Sequence, residues 1–507
     1  MKLHNLIKLL GNALLVNTSD RSIRGLELDS RRIRPGYLFA VVRGRHNDGS
    51  AYVADAIARG AVAVLSSEKL FVPGDVTLIL VPNVRRALAD LCCRFYGYPA
   101  DLVLTIGVTG TNGKTTVATL ARFLLTTAGR QAALLSTIIH QIGSRRIPAS
   151  NTTPECAELQ GYFAEMVERH IRYAAMEVSS HSLDQERVRG IRFGVGVLTN
   201  CTPHEHLDYH LTFEAYRDAK AKLFDSLAPD ATAVLNREDK EFAFFEERAR
   251  ARGARVMTYG LNGEADVGAT IEATDLVTGM VLRLATPAGK VRVCSPLIGR
   301  FNALNLLAGT CCGLALGLEL GTIAAAIERF TGAPGRLERV DAGQPFTVLV
   351  DYAHNHMGLD SVLSTLRELT SKRIIVVFGA GGERDKSKRP LMGKAAAAYA
   401  DLSVLTADNS RSERSEDIIA AIAEGMPADA KRLLEPDRRE AIRKAVAIAA
   451  PGDTVLIAGK GHETYQDIGG VRCPFDDREE ARRALVSLAL RRGRAATRGA
   501  VTAAAAR

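Results

Sequence analysis

The chain has 507 residues, 47% hydrophobic and 24% charged, too long for one compact domain and too apolar for a disordered or fibrous chain. No apolar run is long enough to span a bilayer, and the opening Met1–Leu10 segment, broken by Lys8, reads as an amphipathic helix and not as a secretory leader. The formal charge is +9, yet five arginines and no acid lie between Arg491 and Arg507, a basic Ala/Arg tail expected to be disordered. No aromatic-basic recognition motif accompanies that tail, so neither a nucleic-acid nor a membrane partner is expected, and the mildly positive remainder suits an anionic small molecule. Eight cysteines without a Cys-x-x-Cys pair read as small buried hydrophobes in a reducing, cytoplasmic setting, not as zinc ligands or disulfides.

Residues 1–98 alternate short apolar runs (Leu38–Val42, Ala61–Leu65, Thr77–Val81) with a helical pattern at Val53–Arg59, a small α/β domain ending at Tyr98-Pro99. Residues 99–335 open with the strand pattern Leu102–Val108, a glycine loop and a helix over Thr115–Thr127, followed by strands at Tyr173–Val178, Val195–Thr199 and Ala233–Asn236. That alternation predicts a mostly parallel sheet covered on both faces, closed by the linker Gly332-Ala-Pro-Gly335. Residues 336–490 repeat it at Thr347–Val350, Ile374–Phe378, Leu402–Thr406 and Thr454–Ala458, a doubly wound, Rossmann-like sheet. The polar loops at Asp351, Gly379–Lys388, Asp408–Glu413 and Gly459–Glu463 all follow strand ends, which predicts one cleft. The fold class is therefore α/β in three domains, with residues 491–507 as the tail.

The strongest chemical signal is Gly107-Val-Thr-Gly110-Thr111-Asn112-Gly113-Lys114-Thr115-Thr116. Small residues let backbone N–H groups approach phosphate oxygens at a helix N-terminus, Lys114 reaches the outer phosphates, and the Thr115 hydroxyl suits Mg²⁺. The spacing departs from the strict phosphate-loop pattern, but strand, loop and helix fall where an ATP site needs them. Asn236-Arg-Glu-Asp239 is a partial guanine-reader match without its lysine, and four-residue matches arise by chance. Glu177, delivered by a strand end beside the phosphate loop, is a candidate Mg²⁺ ligand. The cluster His204-Glu-His206-Leu-Asp-Tyr-His210 mimics zinc spacing, but its oxygen-rich setting suits a phosphate-bound Mg²⁺ better, with one ligand expected from it.

Gly110-Thr-Asn-Gly-Lys-Thr-Thr, Glu177-Val-Ser-Ser-His, His206-Leu-Asp-Tyr-His, Tyr216-Arg-Asp-Ala-Lys220, Gly299-Arg-Phe-Asn-Ala-Leu-Asn305 and Asp351-Tyr-Ala-His354 together resemble the Mur ligases, in matching order from about residue 20 to 485. These are ATP-dependent amide ligases of peptidoglycan precursor synthesis. Leu28-Asp-Ser-Arg31, Asn151-Thr-Thr-Pro154, Gly379-Ala-Gly-Gly-Glu-Arg-Asp-Lys, Asp408-Asn-Ser-Arg411 and Gly459-Lys-Gly-His-Glu463 resemble the branch that adds the third residue, a diamino acid, to UDP-N-acetylmuramoyl-L-alanyl-D-glutamate through an acyl phosphate. The likeness implies catalytic roles for Lys114, Glu177, His206 and Lys220, with Thr115, Glu177, His206 and Lys220, the last as a CO₂-derived carbamate, around Mg²⁺. Read from composition alone, Lys220 is a solvated lysine on a basic helix face.

The same resemblance implies ATP contacts at Gly110 through Thr116 and at Asn302, Arg336, Asp351 and His354. It puts Leu28, Ser30, Arg45, His46, Asn47, Asn151, Thr152, Thr153, Ser179, Gln185 and Arg187 around the UDP-sugar-dipeptide. Arg384, Asp408, Asn409, Ser410, Arg411, Gly459 and Glu463 would take the amino acid. There Arg411 can pair with the distal carboxylate of meso-diaminopimelate while Asp408 and Glu463 receive ammonium groups. Ser410 stands where the family motif has proline, and His356-Met357 replaces a commoner Pro-Asp. L-lysine or another diamino acid remains an alternative substrate, and a nucleotide-gated scaffold with ATPase activity only is an alternative of another class. Folylpolyglutamate synthetase and cyanophycin-type polymerases are rivals within the superfamily; the first domain, with Asp29-Ser30-Arg31, argues against the folate enzyme. A monomer acting on small molecules is expected.

Overall fold

The computed structural model describes residues 1–11, 13–44, 48–203 and 206–505, with side chains through residue 491. Arg45, His46 and Asn47, expected near the nucleotide of the sugar substrate, and His204 lie outside the described residues. The chain divides into two compact units: Met1–Ala269 with Ala285–Lys290 and Leu304–Ala326, and Thr270–Leu284 with Val291–Ala303 and Ile327–Arg507.

In the first unit, β1 (Leu14–Val16), β2 (Gly25–Glu27), β3 (Tyr37–Ala40), β4 (Ala61–Ser66) and β5 (Thr77–Leu80) form a sheet in the order β1-β5-β4-β3-β2. It is parallel except for β1. The expected first domain and most of the expected second, up to Ala269 and again over Ala285–Lys290 and Leu304–Ala326, fall within this one unit. The reason is a shared core: Cys156 and Ala157, at the start of the helix Cys156–Glu168, pack into the cluster of Leu88, Leu91 and Cys92 from the helix Val84–Tyr96.

The next strands are β6 (Leu104–Thr109), β7 (Ala132–Leu135), β8 (Ile139–Ile142), β9 (Arg145–Pro148), β10 (Tyr173–Glu177), β11 (Phe193–Leu198), β12 (Leu227–Asn236) and β13 (Arg255–Gly260). They run in the order β13-β12-β11-β6-β10-β7-β8-β9. From β13 to β7 every pair is parallel, as fully buried apolar strands require; β8 and β9 add an antiparallel edge that the alternation pattern did not reveal. Strands β14 (Val267–Asp275), β15 (Gly279–Thr286) and β16 (Gly289–Ser295) continue the sheet, and the chain passes from one unit to the other along them. Register sets the site: Glu177 lies opposite Val108, and Leu198 opposite Thr109. The carboxyl ends of β10, β6 and β11 therefore finish side by side, and the loops that follow them share one rim.

The second unit carries β17 (Glu338–Arg339), β18 (Thr347–Asp351), β19 (Ile374–Phe378), β20 (Leu402–Leu405), β21 (Arg432–Leu434) and β22 (Thr454–Ala458), in the order β17-β18-β22-β19-β20-β21. All pairs but β17–β18 are parallel, the doubly wound sheet the apolar runs predict. A hairpin of β23 (Tyr465–Ile468) and β24 (Val471–Pro474) follows. The last helix runs Asp477–Ala505, into the segment expected to be a disordered tail; alanine and arginine are both strong helix formers. Among the described residues no helix is long and apolar enough to cross a membrane.

Candidate functional site

The loop after β6 is shaped by two glycines. Gly110 has φ 149°, and a Cβ there would lie 1.8 Å from Thr199 Oγ1; Gly113 has φ 86°, and a Cβ would lie 2.4 Å from Asn305 Oδ1. Gly110 has no room for a side chain against Thr199 and the Asn200 backbone, and both positions have the positive φ that glycine favours. Gly113 caps the helix Lys114–Thr127, whose first N–H groups point into the loop as an anion cradle. Lys114 Nζ donates to the carbonyls of Gly110 at 2.8 Å and Thr111 at 2.9 Å, so its ammonium sits over the cradle. Thr111 Oγ1 lies 3.0 Å from the Tyr216 hydroxyl and accepts from Thr202 N at 3.0 Å. The loop's far wall is also fixed: Asn112 N donates to Asn200 Oδ1 at 2.9 Å. The partial guanine-reader match proves to be scaffolding for that wall, since Asn236 Nδ2 donates to Thr199 O at 2.9 Å and Asp239 Oδ2 accepts from Cys201 N at 2.7 Å.

Glu177, 1% exposed, ends β10 beneath the loop. It accepts from Thr115 Oγ1 at 2.9 Å, from Thr137 N at 2.7 Å and from Thr137 Oγ1 at 3.1 Å. Thr137, which no sequence pattern singled out, thus orients the carboxylate toward the phosphate loop. Lys220 is 1% exposed, on the inner face of the helix Phe213–Asp225, with Nζ 4.2 Å from the Tyr216 ring centre. Lys222 turns away and pairs with Asp184 at 3.1 Å. The solvated-lysine reading of Lys220 therefore does not hold.

His206 has φ 57° and caps the short helix Leu207–His210. Its ring centre lies 5.0 Å from that of His181 and 6.0 Å from that of Tyr216, while His181 stacks on Tyr209 at 4.2 Å. His206 is exposed at the rim, yet the protein crowded around its ring, then His181, Lys114 and Lys220, pushes its pKa down to about 3. It is held as the neutral imidazole, the form that can ligate a metal. His181, Tyr209 and Tyr216 were inside or beside the quoted motifs without an assigned role; the aromatic cluster is what positions His206.

These groups line a pocket of about 250 Å³ shared by Gly110, Lys114, His206 and Lys220 with Asn151, Thr152, Thr153, Ser179 and Arg187. Thr153 Oγ1 donates to Glu177 O at 2.9 Å and accepts from Ser179 N at 3.1 Å. Arg187 donates to Thr153 O at 3.0 Å, to Gln185 Oε1 at 2.6 Å and pairs with Glu155 at 2.9 Å. Gln185 turns its amide to Tyr209 OH at 3.2 Å and supports Arg187. Three cations, Lys114, Lys220 and Arg187, face one small cavity, an arrangement suited to a ligand of several negative charges. In the first domain, buried Ser30 and half-buried Leu28 bracket Asp29, whose carboxylate pairs with Arg31 at 2.7 Å.

The second unit holds the remaining candidates. Asp351, at the end of β18, accepts from Leu337 N at 2.7 Å and Ala353 N at 2.8 Å; burial raises its pKa against the pull of Arg336. The Arg336 guanidinium lies 4.6 Å from the Tyr352 ring centre, and the His354 ring 4.6 Å from that of Tyr352. Asn302 Nδ2 donates to Ile298 O at 2.9 Å.

Asp408 and Asn409 are buried at the end of β20. Gly459 has φ 118°, and a Cβ there would lie 2.5 Å from Asp408 Oδ2. Arg411 has φ 52° and donates to the Gly382 carbonyl; Arg384 is exposed. Glu463 and Ser410 already have partners within the protein. Glu463 Oε2 already receives Asn409 Nδ2 at 2.8 Å and Lys460 Nζ at 2.9 Å. Ser410, expected at the amino acid, is fully buried with its hydroxyl 2.6 Å from Ser415 Oγ, a tie that takes over the stiffening a proline would supply. Among the described residues no group of three or more His, Cys, Asp and Glu side chains could hold a metal ion.

Comparison with known proteins follows this layout. The models described as Mur ligase family, catalytic domain, Mur ligase middle domain, and Mur ligase, glutamate ligase domain match residues 22–96, 108–313 and 335–461. A protein of Geobacillus kaustophilus named UDP-N-acetylmuramoyl-L-alanyl-D-glutamate--2,6-diaminopimelate ligase is 43% identical over 96% of this chain and 99% of its own length. One of the same name from Geobacillus thermodenitrificans is 44% identical over 96% and 99%. A solved structure of that name matches with a TM-score of 0.67 at 33% identity, covering 93% of this chain and 97% of its own. A MurF structure from Acinetobacter baumannii shares the fold, with a TM-score of 0.65 at 20% identity, over 90% of this chain and 94% of its own. The chain belongs to the Mur ligase family of ATP-dependent, peptide-bond-forming ligases.

Proposed function

We propose that this ligase joins meso-diaminopimelate to the D-glutamate carboxylate of UDP-N-acetylmuramoyl-L-alanyl-D-glutamate, making ADP and phosphate from ATP. The observation that carries the reading is the pocket in which the phosphate loop, Lys220 and Arg187 converge, with Glu177 bonded to Thr115 at the start of the loop's helix, in a chain over 40% identical along nearly its whole length to ligases of that name.

A carboxylate is a poor electrophile, so the reaction needs the terminal phosphoryl group of ATP transferred to it, giving an acyl phosphate that an amine attacks and phosphate leaves. The protein's part is placement and charge neutralisation. Backbone N–H groups of Gly110 to Thr116 hold the phosphates. The Lys114 ammonium exchanges its loop carbonyls for the outer phosphate oxygens, and Arg187 with Thr153 and Ser179 orients the peptide acid. The donor set fits Mg²⁺: a threonine hydroxyl, a buried carboxylate and a neutral imidazole rim, with phosphate and water completing a shell the protein alone does not close. When bound, that ion offsets the negative charge that crowds together as phosphoryl transfer proceeds.

Lys220 enters this reading as a carbamate. Its amine adds CO₂ and releases a proton, which turns a buried cation into an acceptor beside Glu177 and His206. In the second unit, Asp408 and Arg411 would hold the amino acid, with the free guanidinium N–H groups of Arg411 facing the carboxylate that distinguishes diaminopimelate from L-lysine. Substrates built on UDP and ATP suit the cytoplasm, and one chain carries every group named here.

Phosphate release tests the reading. It should require the UDP-dipeptide and the diamino acid together; steady release from ATP alone would favour the scaffold ATPase instead.

A further inference from the structure

Beneath the expected amino-acid pocket lies a cation that no motif role accounts for. Lys460, between Gly459 and Gly461 after β22, is 0% exposed. Its Nζ donates to Asn409 Oδ1 at 2.9 Å and to Glu463 Oε2 at 2.9 Å, and lies 5.3 Å from the Tyr465 ring centre. A lysine ammonium only donates. With Asp467 N also donating to Asn409 Oδ1 at 3.0 Å, the oxygen of the Asn409 amide must face Lys460. Its nitrogen must then face Glu463, where it donates to Oε2 at 2.8 Å. Both donors meet the same carboxylate oxygen, so Glu463 keeps Oε1 for another partner.

The surroundings explain why a charge is needed. Asp408 is buried against the same loop; burial alone would raise its pKa, but Lys460 and then Arg438 hold it below the usual carboxylate range. Arg438, itself committed to Asp477 at 2.7 Å, also donates to Ala407 O at 3.3 Å and Ala458 O at 2.9 Å and so clamps the ends of β20 and β22. Lys460 is thus a cation shared by two acids, hydrogen-bonded to Glu463 and favouring the charged form of Asp408.

We infer that Lys460 is a positioning residue of the amino-acid pocket: it fixes the Asn409 amide and one oxygen of Glu463, leaving the other oxygen to receive an ammonium group of the incoming diamino acid. The amino-acid part rests on the function proposed above; the placement of Asn409 does not.

Two variants and two readouts test it. Lys460→Met removes charge and donor, whereas Lys460→Gln keeps a donor and restores part of the network. In full-length protein labelled at asparagine, hydrogen exchange of the Asn409 side-chain amide should quicken about tenfold in Lys460→Met and less in Lys460→Gln. In the complete reaction, KM for meso-diaminopimelate should rise about 10- to 100-fold in Lys460→Met, and less in Lys460→Gln. KM for ATP should stay within about twofold, as should trapping of the activated acid by hydroxylamine. Unchanged Asn409 exchange, or equal loss of both half-reactions with no change in KM for the amino acid, overturns the role. If Lys460→Met does not fold, the smaller shifts of Lys460→Gln decide in the same way. A wild-type chain that makes no amide, yet shows the exchange difference, sinks the substrate reading and leaves the placement standing.

Discussion

The Thr115 hydroxyl donates to Glu177 Oε2 at 2.9 Å, linking the first turn of the phosphate-loop helix to the end of the neighbouring strand. Because Thr137 donates to both oxygens of the same carboxylate, Glu177 is held by three donors before any ligand arrives. Glu177→Gln keeps the shape and removes the charge. It should lower kcat by about 10- to 100-fold while thermal unfolding of the chain stays nearly unchanged, because groups that orient a metal or its ligands carry effects of that size. Activity assays beside calorimetry check this.

Lys220→Ala should be nearly inactive, and small carboxylic acids such as acetate should restore part of the activity by supplying the missing oxygens. The measurement is turnover against carboxylate concentration, with ATP binding as a control for folding. No rescue in a folded, ATP-binding variant would count against the carbamate.

Gly110→Ala should damage more than Gly113→Ala. The first places a Cβ 1.8 Å from Thr199 Oγ1 and close to the Asn200 backbone, the second 2.4 Å from the end of the Asn305 side chain, which can turn aside. With the left-handed backbone added, Gly110→Ala should lose about 2 kcal/mol or more of stability and most ATP binding, measurable by urea unfolding and calorimetric titration.

The phosphate loop and the parallel strands around it were legible because glycine, lysine and threonine at fixed offsets leave a local signature, and doubly buried strands read as apolar runs. The antiparallel β8–β9 edge was not, since strands of four residues leave too short a pattern. Nor were the roles of Thr137, which acts through the distant Glu177, and of Lys460, which lies inside a quoted motif but bonds Asn409 far back in the chain. Lys220 shows the opposite case, where composition suggested solvent and packing against Tyr216 buried it. Cys156 and Ala157, from the expected second domain, join a core that starts at Leu3 in the first, a contact no linker composition reports.

Acid should weaken the second unit through Glu413, whose pKa is lowered to about 2 by the backbone N–H of Glu383, then by Arg389 and Lys386, against the opposing effect of burial. A depressed folded pKa means the ion pair stabilises fully above the unfolded value near 4.5. Its contribution fades as the pH falls from there toward 2. The difference in melting temperature between the wild-type chain and Glu413→Gln should be largest at neutral pH and vanish across that window.

Arg438 and Asp477 form a pair with both side chains 0% exposed. Removing one partner, as in Asp477→Asn or Arg438→Met, should cost about 3–5 kcal/mol, and replacing both with apolar residues should cost less than either alone. Denaturant unfolding of the three variants checks the order.

The central claim is that ATP activates the substrate's carboxylate before the amine arrives, and isotope transfer tests it most directly. With heavy oxygen in the D-glutamate side-chain carboxylate and the complete set of reactants, one labelled oxygen should appear in the released phosphate for each new amide bond. Unlabelled phosphate, its fourth oxygen drawn from solvent, with ATP consumed, would contradict the account.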